Sequence, residues 1–262
     1  MLNVTPMVRN LLLINIGLLL LESMGALGVV PRLLALYPWT SELFQPFQHV
    51  TYMFMHAGWG HLLSNMFGLF SFGPMLEMRW GPQRFLAFWL ICGIGAGVLY
   101  SGIREYEIGQ MRDARNAFVE SPSAVEFSDF FRDYYPQAQG YEMVARDIQL
   151  NPGNQSNIKS AIESVDTIYE RALNGPMVGA SGALFGILLA FAYLFPNTEL
   201  MLLFFPFPIK AKYFVALYGL YELYAGVERN PGDNVAHFAH LGGMLFGFLL
   251  LKYWERHHSR FY

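Results

Sequence analysis

A hydroxyl and an imidazole stand out in this chain, each framed by glycine: Ser181 in Gly179-Ala180-Ser181-Gly182, and His240 in Ala239-His240-Leu241-Gly242-Gly243. Ser181 is followed at once by an apolar stretch running to Phe195, so it heads a hydrophobic helix. A hydroxyl in that place sits beside unpaired backbone N–H groups and the positive end of the helix dipole, which favour a developing oxyanion. His240 lies about one turn inside a second apolar helix, where an imidazole can take the serine proton and return it to a leaving amine. Each residue also has a plainer reading. Serine is a common helix N-cap or a small residue easing helix contact, and a lone buried histidine often bonds a backbone carbonyl. Ala183 stands where the elbow of soluble hydrolases needs glycine, so that motif is excluded. The pairing is favoured by Gly182 and Gly186 on one helix and Gly243 and Gly247 on the other, small-xxx-small faces that let two backbones approach closely.

A third group lies in His56-Ala57-Gly58-Trp59-Gly60-His61-Leu62-Leu63-Ser64-Asn65. His61 and Asn65 are four residues apart, hence on one helix face, and both donate hydrogen bonds without a permanent charge. That suits an oxyanion hole in a low-dielectric site; the alternative is polar glue between packed helices. His56 precedes the helix and would orient the loop or hold water. A metal centre built from His56, His61, His237 and His240 is the competing chemistry, but no carboxylate is clearly placed to complete it, and His237 reads as an interface residue. Glu222 is the one carboxylate well inside the last apolar segments, too little for a proton relay. Glu77, Arg79 and Arg84 read as helix ends around a Gly81-Pro82 turn.

The elements that must position these groups are apolar. Of 262 residues, 54% are hydrophobic and only 14% charged, against about a quarter charged in a soluble domain. Six runs are candidate spans: roughly Val8–Val30, Leu62–Met78, Arg84–Gly102, Val178–Phe195, Lys212–Val227 and Val235–Trp254. A crossing takes about 20 residues, so the fifth is short or starts within Phe204–Pro208. Backbone in lipid must satisfy itself, which makes the spans helices, and the first is read as an uncleaved anchor. Arg9, Arg79, Arg84, Lys210, Lys212, Lys252, Arg256 and Arg260 fall on one side, with Arg32 and Arg229 in the opposite short loops. This predicts a cell inner membrane with both termini cytoplasmic. The net charge of −3 favours no nucleic acid, and the single Cys92 excludes an intrachain disulfide.

Residues 103–174 differ. Seven basic against twelve acidic residues, and no run long enough to span, predict an extracytoplasmic insert. Apolar residues recur at helical spacing over Asn157–Leu173, around Phe127–Tyr134 and over Met143–Ile148, with a turn at Asn151-Pro152-Gly153-Asn154. The expected fold class is therefore all-α, a polytopic bundle of six transmembrane helices with an extra-membrane helical insert. Its divisions are residues 1–102, 103–174 and 175–262.

Taken together, these residues resemble the rhomboid family of intramembrane serine proteases. The likeness covers His56 to Arg84, Gly179 to Phe195 and Ala236 to Gly247, and six spans fit it. The resemblance implies Ser181 as nucleophile and His240 as base, a dyad with no third acid. It implies an oxyanion hole from His61, Asn65 and the Ser181 backbone N–H, with His56, Gly179 and Gly182 in support. It implies no cofactor and no metal, and as partners the lipid bilayer and transmembrane protein substrates cut near the outer interface. The seventy-residue insert departs from compact bacterial members and reads as an exosite or lid. The short fifth span, between Phe204–Pro208 and Asn230-Pro231-Gly232-Asp233, reads by the same analogy as a lateral gate. The alternative function is a non-proteolytic relative, a scaffold or chaperone that binds transmembrane helices.

Overall fold

A computed structural model describes residues 4–202, 205–228 and 235–257. Phe204 and Asn230-Pro231-Gly232-Asp233, the flanks of the expected gate, lie outside these described residues. Helix α1 (Pro6–Ser23) leads into a loop with two short helices, α2 (Val30–Leu34) and α3 (Gln48–Thr51). Then come α4 (Trp59–Trp80) and the 39-residue α5 (Pro82–Glu120). Helices α6 (Ala124–Tyr134), α7 (Tyr141–Leu150) and α8 (Gln155–Leu173) follow. The last described elements are α9 (Ser181–Leu194), the strands β1 (Glu199–Leu202) and β2 (Phe205–Lys210), α10 (Ala211–Glu228) and α11 (His237–His257).

Local chemistry explains the breaks. Gly81, at φ +81°, ends α4 in a conformation that a side chain would resist, and Pro82 opens α5 where its missing N–H is no loss. Ser123 caps α6 by accepting from the Glu126 N–H, and Asn154 caps α8 by accepting from Ser156 and Asn157. The start of α1 is capped from another helix: the buried Glu77 carboxylate on α4 accepts from the Met7 and Val8 N–H groups at 2.9 and 2.8 Å and from the Thr5 hydroxyl. Glu77 therefore does more than close its own helix. It locks α1 to α4 and neutralises the orphan donors of a buried helix end.

Two apolar cores result. The larger is shared by α1, α4, α5, α9 and α11, with Phe88, Trp89, Cys92, Ala183, Ile187 and Leu251 among its buried members. The smaller gathers Met111 and Phe118 of α5 with Phe127, Phe130, Ile148 and Val165 of α6 to α8. The helices expected over 157–173, 127–134 and 143–148 are present, each slightly longer. The boundary at residue 103 is not a break, however. No proline follows Gly102, the single Gly109 is carried within the helix, and Ile108, Met111 and Phe118 give α5 an apolar stripe on which the insert folds. At 1.5 Å per residue α5 is about 58 Å long, roughly twice a hydrocarbon core. The insert is tied back by Arg115 on Asp166 at 2.7 Å, by Arg104 on the Ala172 carbonyl, and by the Ser41 hydroxyl on Asn174.

Two departures from the all-helical bundle stand out. The stretch before the fifth apolar helix pairs as an antiparallel hairpin, Glu199 opposite Lys210 and Leu200 opposite Ile209, so α10 starts at Ala211 and not upstream. Among the described residues, only α1 and α5 are by themselves long and apolar enough to cross a membrane, and α9 is a shorter apolar helix. The polar site residues on α4 and α11 dilute those two helices. The outward faces are nonetheless oily: Leu13, Leu63, Phe67, Leu217, Leu220 and Leu249 are all exposed, more apolar surface than a water-facing fold normally shows.

The tightest contact joins α9 to α11. A Cβ built on Gly243 would lie 1.8 Å from the Gly182 carbonyl oxygen, and one on Gly186 would lie 2.9 Å from the Gly243 oxygen. The obstacle is backbone, so no rotamer change relieves it. Gly243→Ala is expected to destabilise the protein by about 1–3 kcal/mol through overpacking. Gly109→Ala, on an open face of α5, should gain about 0.5–1 kcal/mol from helix propensity. Unfolding midpoints in detergent for the two variants beside the parent check this; equal midpoints would remove the backbone contact from the account.

Candidate active site

Ser181 is positioned from two sides. Leu36 and Met177 exchange backbone hydrogen bonds as an isolated bridge, and the Gly179 N–H donates to the Tyr52 carbonyl at 3.0 Å. Tyr52 is itself buried, its hydroxyl donating to the Gly93 carbonyl of α5 at 2.7 Å. The approach to α9 is thus held by the first loop and by α5. Gly179 turns the chain at φ +127°, and Ser181 emerges half-buried as the first residue of α9. The N–H groups of that first turn have no helical carbonyl to bond.

His240 lies in the first turn of α11, buried, with its ring stacked on Phe185 of α9 at 4.1 Å between centroids and 7° between planes. Its Nε2 is 2.8 Å from the Ser181 Oγ, and its Nδ1 is 2.8 Å from Oε2 of Glu222 on α10. The same Glu222 oxygen lies 2.6 Å from Nδ1 of His237. A carboxylate can only accept, so His240 Nδ1 carries its proton and Nε2 presents a lone pair to the serine hydroxyl. That is the protonation a general base requires.

His61 and Asn65 of α4 border the same loop. A Cβ on Gly179 would fall 2.6 Å from the His61 ring and 3.8 Å from Nδ2 of Asn65. The Ala57 N–H donates to His61 Nδ1 at 3.4 Å, which leaves Nε2 as the protonated nitrogen on the Gly179 side. Asn65 is buried, and its Nδ2 has no hydrogen-bond partner among the described residues. His56 packs edge-on against His61 at 5.1 Å. Burial first, then the neighbouring His61 ring, lowers the His56 imidazole to about 4, so it is neutral near pH 7. Gly182 lies under Ala96 of α5, where a Cβ would meet the alanine methyl at 2.6 Å.

Two residues were not read from the sequence as part of this constellation. On sequence Glu222 is a solitary carboxylate and His237 an interface residue, or with His240 a member of the competing metal centre; in the structure one Glu222 oxygen meets both rings. The available signal was that a lone carboxylate inside an apolar helix needs a partner. The chain order did not say that the partner was on the next helix. Glu222, His237 and His240 offer ligand atoms within 4.8 Å of one another, so a carboxylate does stand beside two of the four histidines of the competing metal centre. Both nitrogens of His240 and the shared oxygen of Glu222 already have partners in the described hydrogen-bond network. His56 and His61 form a separate pair.

The family model described as Rhomboid domain matches residues 43–109 and 157–256, more than half of the chain. An uncharacterized mitochondrial rhomboid protein of Schizosaccharomyces pombe is 28% identical over 213 residues, covering 79% of this chain and 51% of the relative. A mitochondrial rhomboid-like protein of Arabidopsis thaliana is 26% identical over 196 residues, covering 74% and 42%. A mitochondrial rhomboid protein of Saccharomyces cerevisiae is 40% identical over 78 residues, 30% of this chain and 22% of its own. The chain spans about half the length of the first two relatives. No solved structure matches it. These names overturn the expected cell inner membrane with cytoplasmic termini and an extracytoplasmic insert, since all three relatives are mitochondrial. The physical reason is simple: a Lys/Arg bias reports sidedness relative to the compartment of insertion and cannot name the membrane.

Gly179→Ala is expected to cost about 1–3 kcal/mol from backbone strain alone, with a further penalty from the clash with His61. An unfolding midpoint unchanged from the parent would show that the turn does not need glycine.

Proposed function

The chain belongs to the rhomboid family, and on that footing we propose that it is an intramembrane serine endopeptidase cutting transmembrane segments of other membrane proteins. The observation that carries the reading is the 2.8 Å contact between Ser181 Oγ and His240 Nε2. In attack, the Ser181 proton passes to His240 Nε2 as Oγ bonds the scissile carbonyl carbon. The oxyanion so formed takes hydrogen bonds from the Ser181 backbone N–H, His61 Nε2 and Asn65 Nδ2. Collapse breaks the C–N bond, and His240 returns its proton to the leaving amine. Water repeats the sequence on the acyl-enzyme. Gly179 and Gly182 keep the loop and helix close enough for this geometry, and neutral His56 backs His61.

In this reading α1, α4, α5, α9, α10 and α11 are the six crossings, and the second half of α5 with α6 to α8 forms a helical unit beside the membrane, continuous with the core through α5. The rhomboid family is a membrane family, and the exposed leucines of α1, α4, α10 and α11 would face lipid. The relatives' names favour a mitochondrial membrane. No cofactor enters the chemistry. A scaffold that only bound helices would have no use for a histidine with its base nitrogen on a serine.

Purified protein in detergent, treated with a fluorophosphonate probe, should label in the parent and not in Ser181→Ala or His240→Ala. Asn65→Ala should retain some labelling and lower substrate turnover by about 10²-fold, as loss of an oxyanion donor does. Labelling that survives in Ser181→Ala, or none in the parent, would end the hydrolase reading.

A further inference from the structure

We propose that Glu222 is the positioning residue of this site, converting the serine–histidine pair into a Ser181–His240–Glu222 triad; the proposal rests on the hydrolase reading above. The expectation from resemblance was a dyad without an acid. The geometry points elsewhere: the side chain of Glu222 is 2% exposed, and its Oε2 sits 2.8 Å from the His240 nitrogen opposite the serine.

Consider what the ring needs. With Nε2 on the serine hydroxyl, the competent tautomer has its hydrogen on Nδ1, and an unassisted imidazole in an apolar site has no reason to prefer it. The Glu222 carboxylate fixes that tautomer. The parallel Phe185 ring fixes the plane, so rotation and tautomer are both determined. When the Ser181 O–H bond breaks and its proton moves to Nε2, the ring becomes a cation. Nδ1–H keeps donating to Glu222, the carboxylate takes up no proton, and its charge offsets the imidazolium. On C–N cleavage the Nε2 proton leaves with the amine and the resting state returns.

The carboxylate must itself be kept ionised in an apolar bundle. A buried anion is tolerated only when paired and hydrogen-bonded. His237 supplies the second donor, Nδ1 at 2.6 Å from the same oxygen. The two imidazole planes stand nearly perpendicular, at 86°, so both reach one atom without stacking. Gly226, one turn beyond Glu222 on α10, admits the His237 Cβ at 3.2 Å from where its own would be. His237 is thus the brace that holds the acid in place.

The test uses Glu222→Gln, which keeps the volume and an acceptor oxygen but removes the charge, with Glu222→Asp as the conservative variant and Glu222→Ala as the deletion. Two readouts are taken on the full chain in detergent: the fluorophosphonate rate, separated into probe affinity and the first-order inactivation constant, and the His240 tautomer by ¹⁵N NMR of histidine-labelled protein. The expected result is a fall of about 10²-fold in the inactivation constant for Gln, with affinity and unfolding midpoint little changed. Asp should recover part of the rate, and Ala should lose both the rate and the Nδ1–H tautomer. An inactivation constant for Gln equal to the parent's overturns the proposal and leaves Glu222 as an anchor for α10. Stoichiometric zinc in the purified protein, with labelling lost on chelation, also overturns it, making the cluster a metal centre. Absence of labelling in the parent with an intact Nδ1–H tautomer defeats the hydrolase reading instead, and is distinguishable because the tautomer does not depend on it.

Discussion

The whole site depends on how closely two helix backbones approach. Where Gly182 of α9 faces Gly243 of α11, a single added carbon would come within 1.8 Å of a carbonyl oxygen. The same seam continues one turn deeper, where Gly247 would place a Cβ 3.2 Å from Gly186. Helices with ordinary side chains at their contact pack 8–10 Å apart. The glycine seam brings the two backbones closer than that and fixes their register, so the short Ser181 side chain meets the His240 ring directly. Glycine at four positions removes the obstacle, and the hydrogen bond between Ser181 and His240 follows from the seam. The third wall is α5: Ala96 and Cys92 back Gly182 and Gly186, so the pair cannot slide apart on that side.

The polar groups in this apolar bundle divide into two kinds. Glu77, Gln48, Glu222 and His240 are buried and have their hydrogen bonds inside the protein. Gln48, for example, donates to the Leu33 and Leu43 carbonyls and accepts from the Gln45 and Tyr37 N–H groups, which shapes the first loop around one side chain. Asn65 Nδ2 is buried with no hydrogen-bond partner among the described residues, as are Asn15 Oδ1, Trp89 Nε1 and Ser101 Oγ. Each such group costs about 1–3 kcal/mol, and of these Asn65 is the one beside the Gly179 turn. The satisfied groups build the scaffold, and Asn65 keeps a donor in reserve beside the serine loop. An oxyanion site has that asymmetry: its donors are useful because nothing in the resting protein answers them.

What the sequence disclosed follows from what is local. The contact between Ser181 and His240 could be expected because their glycine frames and apolar helices lie within a few residues of each, and the shared face of His61 and Asn65 because four residues make about one helical turn. Helical periodicity likewise gave the three insert helices. What failed to show was contact between elements. Glu222 is conspicuous in its own segment as a lone carboxylate, but its partners, His237 and His240, lie on the next helix. The continuity of α5 past residue 103 was hidden because composition changes there while helix propensity does not. The hairpin at 199–210 was hidden because a short apolar run with prolines reads equally as the edge of a span.

The placement of the acid has a mechanical consequence. Of the eighteen residues of α10, only Ala211, Val215, Glu222 and Gly226 are buried, so it is held to the bundle by a narrow stripe with one carboxylate at its centre. On the side facing α11, that carboxylate is the strong attachment, since a charge-assisted hydrogen bond outweighs the van der Waals contacts of a glycine or an alanine. Moving α10 outward would therefore break the Glu222 contacts first, and with them the force that sets the tautomer of His240.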